Sequence, residues 1–342
     1  MKTVIAGCGN IGAVHAACVV GMEAGCLTGF ADIREDRARE FAAKYGGRAY
    51  QNLEDMMETE KPDVLHICTP HFLHVPMALY GLSHGVHVFM EKPPVISQEQ
   101  LAELMQGTAA FDRRLGFCFQ NRYNAGVKEV RALLNSGKAG KVLGARGIVT
   151  WSRDENYYSQ SGWRGKIATE GGGALINQAI HTMDLLVSFM GKPISVEAGA
   201  QNHHLKGVIE VEDTLEAYIR FEQGTACFYA TTAYMTDAPT LIELVCEKMT
   251  IRLEEPEVTL FYPDGRKERW QAEKKEVLGK SYWGAGHRDC IEDFYRCIRL
   301  GERFPQDLEG IYDTAVLMLG TYESAKSGSV VNLLRKSRQA SV

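Results

Sequence analysis

The sequence predicts a two-domain chain: an N-terminal α/β domain with a parallel, doubly wound sheet, then an α+β domain built on a large, open, mostly antiparallel sheet. Three observations predict it. Short β-rich runs at 3–6, 27–31, 64–67, 86–90 and 115–119 alternate with helical patterns, the signature of a parallel sheet closed by right-handed crossovers. Those runs are almost continuously apolar, as strands covered on both faces must be. Beyond Gln120-Asn121-Arg122 the text changes to successive strands at 195–201, 214–221, 225–233, 241–247, 250–253 and 258–262. Turn signals such as Glu222-Gln223-Gly224 and Pro263-Asp264-Gly265 separate several of them, so neighbours are expected to run antiparallel.

In chain order, the helices expected between the first strands begin near Ile11 and then cover 35–45, 72–83 and 97–111. A helix at 125–134 leads into a long strand at 141–151, an irregular Tyr/Ser/Gly stretch up to Gly172 and a helix over 174–190. Helices at about 287–300 and 308–327 close the chain. The expected domains are 1–121 and 122–342, with the last helices free to pack back on the first.

Composition narrows the function classes. The 342 residues are 45% hydrophobic and 24% charged, with 38 Lys+Arg against 43 Asp+Glu and a net charge of -5, which excludes global disorder and coiled coil. Without a basic run, a dedicated nucleic-acid or anionic-membrane binder is not expected. No run of 18 apolar residues occurs and the N-terminus is too short and glycine-rich for a signal peptide, so a cytoplasmic protein is expected. The nine cysteines are scattered without a CxxC pair, which points to reduced thiols. His71 and His74, like His84 and His87, lie three apart without acidic or cysteine partners at metal spacing, so no metal is expected.

Gly7-Cys8-Gly9-Asn10-Ile11-Gly12 follows the first strand and opens a helix, the context of a dinucleotide fingerprint: a tight turn, backbone approach to a pyrophosphate and a helix N-terminus facing phosphate. Asp32, 20 residues beyond Gly12 at the end of the second run, can accept the adenosine ribose hydroxyls, or instead cap the next helix. A carboxylate there opposes a 2′-phosphate, which favours NAD over NADP; Arg34, two residues on, softens that preference. Thr69 and Pro70, followed by His71, leave the carboxyl edge of the sheet, where such sheets bind ligands.

Glu91-Lys92-Pro93-Pro94 leaves the same edge, so Lys92 is a candidate for hydrogen-bonding a substrate hydroxyl and moving its proton, with Glu91 fixing the loop. Glu170-Gly171-Gly172-Gly173 opens a helix in which Asn177, His181 and Asp184 stand at i, i+4 and i+7, presenting an amide, an imidazole and a carboxylate on one face. An ordinary lysine and a satisfied core histidine are the competing readings.

Taken together, GCGNIG, Asp32, Thr69-Pro70, Glu91-Lys92-Pro93 and the helix from the glycine run to His181 resemble the Gfo/Idh/MocA family of sugar and polyol oxidoreductases. The resemblance covers nearly the whole chain, including Gly286-His287, Asp293-Phe294 and Tyr322-Glu323-Ser324-Ala325 near the end. It implies an N-terminal Rossmann domain, a C-terminal domain whose open sheet forms homodimers or homotetramers, Lys92 as the lysine of the EKP motif, and His181 as the catalytic histidine. The family commonly carries Asp four residues before that histidine; this chain has Asn177, which cannot carry a proton. Asp184 matches a recurrent acid of the family with a structural role, and Trp163 and Arg164 resemble a pocket-lining segment, Arg164 being able either to bind a substrate anion or to pair within its loop. Arg122 and Tyr123 sit at the expected hinge, and Tyr157, Tyr158 and His287 are weaker pocket candidates.

The expected activity is therefore NAD-dependent oxidation of a secondary alcohol of a sugar, sugar derivative or cyclitol, or the reverse, with Lys92 and His181 handling the hydroxyl proton. Two alternatives stay open: redox-assisted glycoside elimination on permanently bound NAD, and a non-catalytic dinucleotide or sugar sensor.

Overall fold

A computed structural model describes residues 1–271 and 284–334, which divide into two units. Residues 1–120 with 284–311 make the first and residues 121–271 with 312–334 the second. The first unit is thus not continuous in sequence: helix Gly286–Leu300 belongs to it although 165 residues separate it from Gln120. The end of the expected second domain, 335–342, lies outside the described residues.

The first unit carries six parallel strands: β1 (Lys2–Ala6), β2 (Cys26–Ala31), β3 (Arg48–Tyr50), β4 (Val64–Ile67), β5 (His87–Met90) and β6 (Leu115–Phe117). They lie in the order β3-β2-β1-β4-β5-β6, so the topological switch falls between β1 and β4. All four residues of β4 and four of the five in β1 are buried, which is why both read as apolar runs. Sequence periodicity misses β3 and the helix Leu53–Glu60. The strand is three residues long and only half-buried, and the helix is announced only by Asn52, whose side chain accepts from the Asp55 amide at 2.8 Å.

In the second unit, nine strands form one sheet: β7 (Val142–Thr150), β8 (Pro193–Gln201), β9 (Thr214–Phe221), β10 (Gly224–Thr231), β11 (Leu241–Cys246), β12 (Thr250–Glu254), β13 (Glu257–Phe261), β14 (Lys267–Gln271) and β15 (Val331–Asn332). Their order is β14-β13-β12-β11-β7-β10-β9-β8-β15, and among the described strands only β7 and β10 pair in parallel. The alternation along β9 is regular: Leu215, Ala217, Ile219 and Phe221 are buried while Glu216, Tyr218 and Arg220 face out. Helix Ile180–Met190 packs along β7, where a Cβ on Gly147 would come within 3.0 Å of both Leu186 and Thr182. The stretch expected to be irregular holds two short helices, Glu155–Ser159 and Ile167–Glu170. Among the described residues no helix is long and apolar enough to cross a membrane.

Candidate active site

The glycine loop of the first unit is built by close approach. Gly7 adopts φ +96°, and a Cβ there would lie 2.4 Å from the Cys68 carbonyl oxygen at the end of β4. A Cβ on Gly12 would lie 2.2 Å from the Gly7 oxygen, whereas one on Gly9 would meet nothing. Helix Asn10–Val20 starts without a side-chain cap, so the backbone beside Gly9 is bare at a helix start, as a pyrophosphate requires. Asn10 is exposed and Ile11 half-buried at that start. Asp32 is half-buried; Oδ2 accepts from the Cys8 amide at 2.8 Å and Oδ1 from the Arg34 amide at 2.9 Å. Each oxygen keeps a second lone pair, so the carboxylate is both anchored to the loop and able to accept ribose hydroxyls. The residues present therefore fit a dinucleotide. Arg34 is exposed and paired with Asp36 at 2.9 Å.

Across the carboxyl edge, Thr69 and Pro70 are half-buried and His71 buried. His74 is a buried, satisfied imidazole that holds two loops together: Nδ1 lies 2.8 Å from the Pro93 carbonyl and Nε2 3.0 Å from that of Thr69. Lys92 follows β5 directly and is half-buried. Glu91 is buried, and its carboxylate meets His15 Nε2 at 2.9 Å and the Lys92 amide at 3.3 Å. Burial alone would raise the Glu91 carboxyl, but the hydrogen bond and charge of His15 hold it well below the usual carboxylate range. The chain continues inward from His15 Nδ1 to His66 Nδ1 at 2.9 Å, from His66 Nε2 to the Tyr295 hydroxyl at 2.9 Å, and from there to Thr3 Oγ1 at 2.7 Å. His287, on a closing helix expected to be free to pack back on the first domain, belongs to the first unit, where burial pushes it down to about 4.

In the second unit the glycine run is a place of contact. A Cβ on Gly173 would stand 1.9 Å from the Glu212 carbonyl oxygen, so only glycine fits. The expected uniform helix over 174–190 instead opens as a wide, π-type turn, Ala174–Ala179, before helix Ile180–Met190. Its first amides are capped from afar: the buried Glu212 carboxylate accepts from Gly173 N at 2.8 Å, Leu175 N at 3.0 Å and the Tyr322 hydroxyl at 2.9 Å.

The expected three-residue stripe splits. Asn177 and His181 are half-exposed on a helix otherwise buried except at Ser188, while Asp184 is 1% exposed and turned inward. Asp184 takes Arg122 Nε at 2.8 Å, a second bond from the same guanidinium, and the Thr314 hydroxyl at 2.8 Å. A buried carboxylate needs such partners, which is why it leaves the exposed face. Two donors of Arg122 are thereby committed to Asp184.

Around Asn177 the structure gathers several candidates. Asn177 Nδ2 lies 3.5 Å from the Tyr157 hydroxyl, which also takes Gln178 Nε2 at 3.2 Å. The Arg164 guanidinium stacks 4.6 Å from the Tyr157 ring and 5.0 Å from that of Trp163, and Arg153 lies 5.2 Å from Tyr157. Tyr158 is buried behind them, packed with Leu205, Ile209 and Val211. Glu170, which no local motif marks as functional, has a buried carboxylate that accepts from the amides of Asn177 and Gly165. Its only signal was an acid immediately before the glycine run.

Residues 1–116 match the NAD-binding Rossmann-fold domain of the Gfo/Idh/MocA oxidoreductase family and residues 127–252 match that family's C-terminal domain. A D-glucoside 3-dehydrogenase of Escherichia coli (strain K12) is 25% identical over 328 residues, 90% of either chain. A myo-inositol 2-dehydrogenase of Thermotoga maritima is 26% identical over 66% of either chain. Among solved structures, the WlbA dehydrogenase of Bordetella pertussis in complex with NADH and UDP-GlcNAcA superposes with a TM-score of 0.84 at 26% identity, over 97% of this chain and 98% of the other. The chain belongs to the Gfo/Idh/MocA family of oxidoreductases, and its parallel sheet is that family's NAD-binding Rossmann domain.

Proposed function

We propose that this oxidoreductase is an NAD-dependent dehydrogenase acting on a secondary alcohol of a sugar, sugar derivative or cyclitol, in either direction. The observation that carries the reading is the pair Asn177 and His181, an amide and an imidazole left partly exposed four residues apart on a helical stretch, 174–190, whose other residues, save Ser188, are buried. His181 and Lys92 handle the hydroxyl proton while Asn177 orients the hydroxyl, and the aromatic and guanidinium groups of Tyr157, Trp163 and Arg164 supply polar complementarity to a sugar ring. NAD, when bound, accepts the hydride from the alcohol carbon. Gly7, Gly9, Asn10, Ile11 and Gly12 would hold its pyrophosphate, Asp32 its adenosine ribose, and Thr69, Pro70 and His71 the rest of its edge. That relatives are named for glucosides and inositol supports the substrate class.

The test is reduction of NAD or NADP, followed by absorbance, across inositols, hexoses, sugar acids, amino sugars and nucleotide sugars. NADH formation with a member of the panel is expected. Silence throughout, with NAD released on denaturing the protein, would sink the reading in favour of a bound-cofactor eliminase or a sensor.

Asp32 gives a sharper expectation. Asp32→Ala removes the ribose acceptor and the charge opposing a 2′-phosphate, so NAD affinity should fall about 10–100-fold, with a smaller loss or a gain for NADP. Equal losses for both cofactors in fluorescence titration would remove Asp32 from the cofactor site.

A homodimer or homotetramer in which a second copy covers one face of the nine-stranded sheet is the expected assembly. Light scattering should return at least twice the 38.0 kDa chain mass; a monomer would refute it.

A further inference from the structure

We infer that Glu170 is a positioning residue of the site: its buried carboxylate holds the Asn177 side chain with the amide nitrogen inward and the carbonyl oxygen outward, where that oxygen accepts the substrate hydroxyl. The inference rests on the dehydrogenase reading above and says how a chain with Asn at 177 does the work of a carboxylate there.

With the Asn177 nitrogen turned inward, the geometry requires a carboxylate at 170. One oxygen, Oε2, accepts from the Gly165 backbone amide and the other, Oε1, accepts from Asn177 Nδ2. Both partners are donors, so the group between them must accept at both ends, which an ionised carboxylate does and a carboxamide cannot. Gly165 is a fixed donor, held at φ +75° with its own carbonyl accepting from the Glu210 amide at 2.7 Å. Asn177 is therefore the partner that turns when residue 170 changes. Tyr157 supports the same orientation, since its hydroxyl faces Asn177 Nδ2 and Gln178 Nε2, both donors.

Glu170 is also placed to make the grip pH-dependent. Burial pushes its carboxyl up to about 7, against the Gly165 amide, the Asn177 amide and the Arg164 guanidinium, which favour the ionised form; Glu212 adds to the rise. Tyr158 and Tyr322 also feel the Glu170 charge, and burial together with these carboxylates raises both phenols. As pH falls through about 7, Glu170 takes up a proton and the charge-assisted bond to Asn177 weakens.

The experiment compares Glu170→Gln, Asn177→Asp and the double variant. In Glu170→Gln the carboxamide keeps Gly165 satisfied and turns its NH2 on Asn177, which flips and presents a donor outward, so kcat should fall about 10–100-fold with NADH affinity unchanged and with the ionisation near neutrality gone from the pH profile. Asn177→Asp sets a second carboxylate against the buried Glu170, so the acid limb should move to higher pH. The double variant exchanges amide and carboxylate between the positions and restores an outward acceptor; its kcat should return to within about threefold of wild type. Wild-type kcat and pH profile in Glu170→Gln, or a double variant no better than Glu170→Gln, would overturn the inference.

A second readout needs no turnover. In difference infrared titration the protonated carboxyl band of Glu170, identified by its loss in Glu170→Gln, should titrate near neutrality and move to higher pH in Asn177→Ala; a midpoint unmoved by Asn177→Ala also overturns the inference. Absence of wild-type turnover with any alcohol, alongside the expected infrared shift, would defeat the dehydrogenase reading while leaving the Glu170 grip standing.

Discussion

Replacement of Lys92 by Met should lower kcat by about 10²–10⁴-fold while the affinity for NADH stays within about threefold, because the change removes a group that holds and moves the hydroxyl proton but leaves the glycine loop and Asp32 intact. Met keeps the length and apolar stem of lysine, so the buried neighbours Glu91, Pro93 and Pro94 lose little packing. His181→Ala should cost a similar factor, and the double variant no more than the worse single one, since residues acting as a unit are not additive. The two arms separate catalysis from folding: cofactor binding reports the integrity of the first unit, and turnover reports the proton chemistry. Unchanged turnover in both single variants would remove Lys92 and His181 from the mechanism and leave the sensor reading in front.

Asp184→Ala should be strongly destabilising, by about 3–5 kcal/mol in denaturant unfolding, because it strands the Arg122 guanidinium, 12% exposed, without its counter-charge. The Thr314 hydroxyl loses its acceptor at the same time. Removing both charges together, as Arg122→Met with Asp184→Leu, should cost markedly less than Asp184→Ala, since an apolar pair leaves no buried charge uncompensated. The same double variant asks whether Arg122 touches a ligand: a stable protein with intact KM and kcat confines Arg122 to scaffolding, and a stable protein with raised KM gives it a second role. If the double variant were as unstable as Asp184→Ala, the ion pair would not be the source of the loss.

Much of the fold is legible along the chain because its signals are local. The apolar runs of β1, β2, β4 and β5, the glycine loop and Asp32 at the end of β2 each lie within a short window, and periodicity reads them directly. The edge strand β3 escapes because three residues, none of them buried, carry no period, and the irregular stretch after β7 hides two short helices that are themselves too short to show one. Asn177 and His181 are readable from helical spacing; for Asp184 the same spacing points to their face, while the family resemblance points to a structural acid, and the side chain lies in the interior.

What the sequence by itself determined is the order of elements, the dinucleotide loop, the lysine after β5 and the helix that carries His181. Only the tertiary structure decided which groups serve them: Glu212, 39 residues from Gly173, caps the wide turn; Arg122, 62 residues from Asp184, draws that acid out of the polar stripe; and Glu170 takes the Asn177 amide. The division has a physical reason. Periodicity and turn chemistry are properties of a few consecutive residues, but a buried carboxylate is satisfied by whichever donors the folded chain brings to it, and those donors arrive from strands and loops that no local pattern connects.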